Sequence, residues 1–188
     1  MNNQQKRGAY TLQRYEIEKL LLACPEWSTR IAIRLMADAG LRRQEVVDLL
    51  ISDIDFEKNR LNVTGKGGKK RIVPIESGFT QELKFFCGTR EPGPVIMGRS
   101  KSKPVNKYTL NNWVKEAGQR ANIKNPVPGS KNLNPHALRH AYARYLKNKG
   151  LSIEAIQNIM GHSNYKTTMD TYGLMSIDEI QAEFNDRI

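Results

Sequence analysis

The chain has 188 residues, of which 30 are Lys or Arg and 19 Asp or Glu, giving a formal net charge of +11. With 39% hydrophobic and 26% charged residues it has the composition of a folded one-domain protein, which excludes disordered and fibrous classes. The apolar stretch 20–24 stops far short of the roughly 20 residues a bilayer span needs, and the polar first eight residues lack a secretory h-region, so a cytoplasmic protein without membrane association is expected.

In chain order, residues 15–24 read as a helix with Ile17, Leu20, Leu21 and Ala23 apolar. Ser28 is expected to cap a second helix carrying Ile31, Ile33, Leu35 and Met36, which Gly40 ends. A short third helix covers 43–50. The period then changes: 53–56, 60–64 and 70–75 are Ile/Val-rich segments separated by turn chemistry at 57–59 and 65–68, a pattern for three antiparallel strands. Helices resume at 79–87 and 108–121, and the Pro/Gly-rich stretches 91–104 and 122–134 read as surface loops. Asn134 is a strong N-cap and Pro135 suits the first helical position, so a helix is expected from there to Gly150. Ser152 opens another that closes at Met160 with Gly161 beyond it. Residues 176–188 begin with a capping box, Ser176 with Glu179, and place Ile177, Ile180, Phe184 and Ile188 on one stripe, to be buried either on the same chain or on a neighbour. The fold class expected is mainly α with a small three-stranded antiparallel sheet. Cys24 and Cys87 match no metal or redox spacing and read as reduced structural residues.

The charge is concentrated. Residues 99–149 hold 12 basic side chains and one acidic one, and residues 58–71 hold six basic and no acidic ones. Two acid-poor blocks point to a phosphate-bearing partner, and the candidates for it are Lys69, Lys70 and Arg71 in one block, Lys101, Lys103, Lys107 and Lys131 in the other, and Arg43 outside both. At the start of the 134–150 helix, free backbone N–H groups, the positive dipole end, His136 and, one turn on, Arg139 converge on one spot, which makes an anion site. His136 and His140 are four apart, but with Arg139 between them and no Cys or carboxylate ligand nearby no metal site is expected.

Five segments then occur in a telling order: Gly40-Leu41-Arg42-Arg43-Gln44-Glu45, Gly65-Lys66-Gly67, His136-Ala137-Leu138-Arg139-His140, Met160-Gly161-His162-Ser163, and Thr168-Met169-Asp170-Thr171-Tyr172. Together they resemble the motifs of the tyrosine recombinases of phage-integrase type, over about residues 12–175, which correspond to that family's C-terminal catalytic domain. The resemblance implies a DNA breaking-rejoining fold, site-specific recombination through a covalent 3′-phosphotyrosyl intermediate, double-stranded DNA as partner, a homo-oligomer on paired sites, and no cofactor.

Residue by residue, it implies Arg42 and Arg139 as bidentate forks on the non-bridging phosphate oxygens and Tyr172 as nucleophile. Lys66 becomes the acid for the leaving oxygen, with Lys69 and Lys70 as alternatives. His136 is base for the tyrosine proton or phosphate ligand, and His162 bonds the phosphate. Glu45 reads as a structural residue orienting Arg42, and His140 as a buried hydrogen-bonding one. Ten positions separate His162 from Tyr172, one more than in many members, so the tyrosine loop is expected to sit differently. The organisation expected is a linker at 1–11, a catalytic domain at 12–175 and the terminal helix at 176–188, without the N-terminal core-binding domain. The rival readings are a type IB topoisomerase-like relaxer and a non-catalytic DNA-binding regulator.

Overall fold

The computed structural model describes residues 11–90, 92–98 and 103–161, with Lys66 described by its backbone alone. His162, Tyr172, Lys101, the 176–188 stripe and the first ten residues lie outside the described residues. The elements are α1 (Arg14–Leu22), α2 (Trp27–Ala37), α3 (Arg43–Asp48), β1 (Ile54–Asp55), β2 (Arg60–Thr64), β3 (Lys70–Pro74), α4 (Ser77–Cys87), α5 (Lys107–Arg120), α6 (Pro135–Asn148) and α7 (Ile153–Met160). Mostly helical with one small sheet, this is the class the sequence pattern predicts.

Helix α2 is the centre of the core. Ile31, Ile33, Leu35 and Met36 all have 0% exposure, while the other side of the helix carries the exposed Trp27 and the half-buried Ser28, Arg30 and Arg34, so its apolar face is the one in the core. It packs on α1, α3, α5 and α6. It begins at Trp27 with Glu26 as N-cap, two residues before the expected Ser28 cap, and Glu26 makes no side-chain capping bond. Gly40 closes its end with a φ of 64°, and a Cβ there would lie 2.5 Å from Tyr142 Cδ1 and 2.9 Å from Met160 Sδ. The left-handed turn and the close approach of α6 and α7 both require glycine at this point.

The three strands form one antiparallel sheet in sequence order. In β2–β3, Leu61 pairs with Val73 and Val63 with Arg71. Alternation sends Leu61, Val63, Arg71 and Val73 to the inner face and leaves Ile72 outside at 53% exposure. Both Pro/Gly-rich stretches are more than surface loops. Val95 and Ile96 are fully buried, with bridges at Leu50↔Pro94 and Met97↔Pro104, and Ile123, Asn125 and Leu133 are buried in the second. Turn residues mark where the chain reverses, but the apolar residues between them still need a core to enter.

The two capping predictions for the last helices match the structure. Asn134 Oδ1 accepts from the Ala137 N–H at 3.0 Å with Pro135 at N1, and Ser152 Oγ accepts from the Ala155 N–H at 3.2 Å. Gly161 ends α7 in the left-handed conformation at φ 62°. Cys24 and Cys87 are free thiols; Cys24 donates to Leu20 O at 3.3 Å. No helix among the described residues is long and apolar enough to cross a membrane.

Candidate phosphate site

Four elements meet at the C-terminus of α7. The turn from α2 into α3 supplies Arg42, the first turn of α3 supplies Glu45, β3 supplies Arg71, and the first turns of α6 supply His136 and Arg139. The last carbonyls of a helix have no partner within it. Here three consecutive ones are taken by three different guanidinium groups. Arg71 Nε donates to Ile159 O at 2.8 Å, Arg139 Nη2 donates to Met160 O, and Arg42 Nη2 donates to Gly161 O at 2.8 Å. Arg139 Nη1 also donates to Gly40 O, so the same guanidinium ties the end of α2 to the end of α7.

Glu45 lies in the middle, its side chain 4% exposed. Its carboxylate accepts four bonds: from the Arg42 backbone N–H at 2.7 Å, Arg42 Nη1 at 2.9 Å, and Arg71 Nη1 and Nη2 at 2.8 Å each. Burial by itself pushes this carboxyl up, but the Arg71 and Arg42 hydrogen bonds outweigh burial and hold it at about 2. Glu45 is therefore ionised throughout the neutral range. The expectation that it orients Arg42 describes this contact. Three guanidinium groups and one carboxylate gather here among the described residues. The Arg42 side chain remains 38% exposed, with Nη1 on Glu45 and Nη2 on Gly161 O, whereas Arg139 is buried with both Nη on carbonyls.

Arg71 departs from the sequence reading. Placed there among the DNA-facing cations, it instead turns inward on β3, its side chain 10% exposed and its fork on Glu45. The basic run 58–71 reads as a single surface by charge count, but strand alternation gives Arg71 the same parity as Val73 and Ile75. That parity is the signal the charge count overlooks. Lys69, Lys70, Lys103, Lys107 and Lys131 are exposed, and Arg43 is half-buried.

Lys66 stands in the turn between β2 and β3, where the Gly65 N–H donates to Lys69 O at 2.8 Å and Gly67 and Gly68 take φ values of 75° and 76°. His136 projects from the first turn of α6, and its Nε2 lies 2.7 Å from Nε2 of His140, the rings edge to face. The imidazole is open to solvent on one side. Loss of water around the rest of it and the Arg139 charge push its pKa below the ordinary value, which favours the neutral form. His140, expected to be buried, is half-buried. Among the described residues no three His, Cys, Asp or Glu side chains come together to hold a metal.

The model of the phage integrase family matches residues 11–174. The chain belongs to the phage integrase family. It is similar to a tyrosine recombinase of Thermosipho africanus (strain TCF52B), 38% identical over 144 residues, which are 76% of this chain and 48% of that protein. It is also similar to tyrosine recombinase XerA of Pyrococcus furiosus, 34% identical over 165 residues, 84% of this chain and 55% of that one. The chain thus spans about half the length of these integrase-family relatives. Among solved structures, an XerA recombinase superposes with a TM-score of 0.76 at 22% identity, covering 94% of this chain and 64% of that chain. An XerH site-specific recombinase does so at 0.75 and 20% identity, covering 93% and 53%. These two likenesses show the integrase-family fold.

Proposed function

We propose that this chain carries the DNA-cutting and rejoining centre of a tyrosine site-specific recombinase. One observation carries the reading: Arg42 and Arg139, from elements distant in sequence, are anchored on the adjacent carbonyls Gly161 and Met160, at the point where the chain enters His162. Two planar forks converging beside a helix N-terminus fit a phosphodiester, whose non-bridging oxygens gather charge in the transition state.

In this reading the Tyr172 phenol oxygen attacks the scissile phosphorus. A bond forms from that oxygen to the 3′ phosphate, and the bond from phosphorus to the 5′ oxygen breaks. His136, favoured neutral, takes the phenol proton or ligates the phosphate, and Lys66 gives a proton to the departing 5′ oxygen. His162 hydrogen-bonds the phosphate. The covalent link keeps the energy of the phosphodiester, so a 5′ hydroxyl attacking the phosphotyrosine rejoins a strand by the reverse step, with no cofactor.

Double-stranded DNA is the proposed ligand. The XerH structure is of a recombinase bound to difH substrate in a pre-cleavage complex, and the exposed Lys69, Lys70, Lys103, Lys107 and Lys131 suit a polyanion. The working form is proposed as a homo-oligomer, a tetramer on paired sites, in the cytoplasm. The test is a nicked suicide duplex built from DNA flanking the gene. The expected result is a denaturant-resistant protein–DNA adduct from the natural chain and none from Tyr172→Phe. No adduct from the natural chain, or an undiminished one from Tyr172→Phe, overturns the reading. Plasmid relaxation with no site requirement would favour a topoisomerase.

A further inference from the structure

Arg71 occupies an inward position of β3, opposite Val63 and two residues from the buried Val73, where a strand ordinarily carries an apolar side chain. A guanidinium there needs polar partners on all sides. It has them in Glu45 Oε1 and Oε2 and Ile159 O, all at 2.8 Å.

Those contacts reach each part of the site. Glu45 holds Arg42 by its backbone N–H and by Nη1. Ile159 is in the last turn of α7, and the next two carbonyls hold Arg139 and Arg42. Arg71 itself stands two residues beyond Lys69, whose carbonyl closes the Lys66 turn. The surrounding backbone is shaped to admit it. A Cβ on Gly161 would lie 2.9 Å from Arg71 Cδ and 3.1 Å from Nε, and one on Gly65 would touch Arg71 Nη1 and Glu45 Oε1 at 3.5 Å.

We infer that Arg71 is a positioning residue for strand cleavage: it clamps Glu45 and the end of α7 to the β2–β3 hairpin, so that Arg42, the Lys66 turn and the entry to His162 keep one geometry. This rests on the recombinase reading of the site. A cation that served DNA phosphates would act through affinity and its salt dependence, whereas a positioning residue acts through rate. A misplacement of about 1 Å costs on the order of 100-fold in rate.

Arg71→Lys, which keeps the charge and loses the fork, and Arg71→Met are compared with the natural chain on the nicked duplex at saturating DNA. Both are expected to form adduct about 100-fold more slowly, with DNA affinity and its salt slope within about twofold of the natural chain. Arg71→Met combined with Glu45→Gln is expected to be no slower than the slower single variant, because both break one link. An unchanged rate at saturation overturns the inference, as does a loss confined to affinity with a salt slope smaller by about 0.9. A second readout needs no activity: the guanidinium N–H signals of Arg42 by NMR in the DNA-free protein. They are expected to exchange faster with water in Arg71→Lys and to stay unchanged in Arg43→Lys. If the natural chain makes no adduct, the recombinase reading fails while this measurement still decides: an unaltered Arg42 signal in Arg71→Lys overturns the clamp.

Discussion

Replacing Glu45 by Gln keeps the shape of the side chain and removes the one carboxylate that touches both Arg42 and Arg71. The carboxyl is held at about 2 in the folded protein, against about 4.3 for an unperturbed Glu, and at 1.36 kcal/mol per pH unit the gap is worth about 3 kcal/mol. Its folded value is depressed, so this stability is fully present above about pH 4.3 and is lost as the pH falls from there towards 2. Gln resembles the protonated acid and lacks the contribution at every pH. Glu45→Gln is therefore expected to be less stable by about 3 kcal/mol at pH 7, in line with the cost of breaking a buried ion pair. At pH 3 the difference should shrink to about 1.4 kcal/mol, since the natural chain has by then lost most of its advantage. Urea unfolding of the two proteins at both pH values measures this, with a midpoint shift of about 1.5 M at neutral pH for a slope near 2 kcal/mol/M. Comparing the pair cancels other carboxylates, such as Glu82 beside Arg30 and Arg34, whose pKa is also lowered. A loss under about 1 kcal/mol at pH 7, or an equal loss at both pH values, refutes the role given to the Glu45 charge.

Gly40→Ala puts a Cβ within 2.5 Å of Tyr142 in a backbone at φ 64°; left-handed strain and overpacking together predict a loss of about 2–5 kcal/mol, read as a drop in thermal midpoint, and a variant as stable as the natural chain would contradict it. If neutral His136 takes the tyrosine proton, its lowered pKa places the acid limb of the cleavage rate below an ordinary imidazole's value of about 6.5. A pH–rate profile of adduct formation whose acid limb lies above that value would go against this role.

Much of the fold was legible because the signals are local. Asn134-Pro135 and Ser152 start helices through bonds to N–H groups three residues on, so their effect needs no tertiary partner. Ile/Val-rich segments separated by turn residues at 57–59 and 65–68 made the hairpins readable for the same reason. The stretch containing Val95 and Ile96 was harder: proline and glycine announced a loop, and only the presence of a core showed that the apolar pair inside it is buried.

The sequence by itself determined the family motifs, the excess of positive charge and the residues offered to a phosphate, since identity and order are written in the chain. Which cation does what was decided by the tertiary structure. In the sequence Arg71 is one of six basic residues between 58 and 71, indistinguishable by charge from Lys69 or Lys70. In the fold, strand parity turns it inward, Glu45 comes to it from α3, and the carbonyl of Ile159 comes to it from α7. Those partners are 26 and 88 residues away, a separation no local pattern can encode. A guanidinium's task is set by the charge and carbonyls it meets, and that meeting exists only once the sheet, α3 and the end of α7 have packed together.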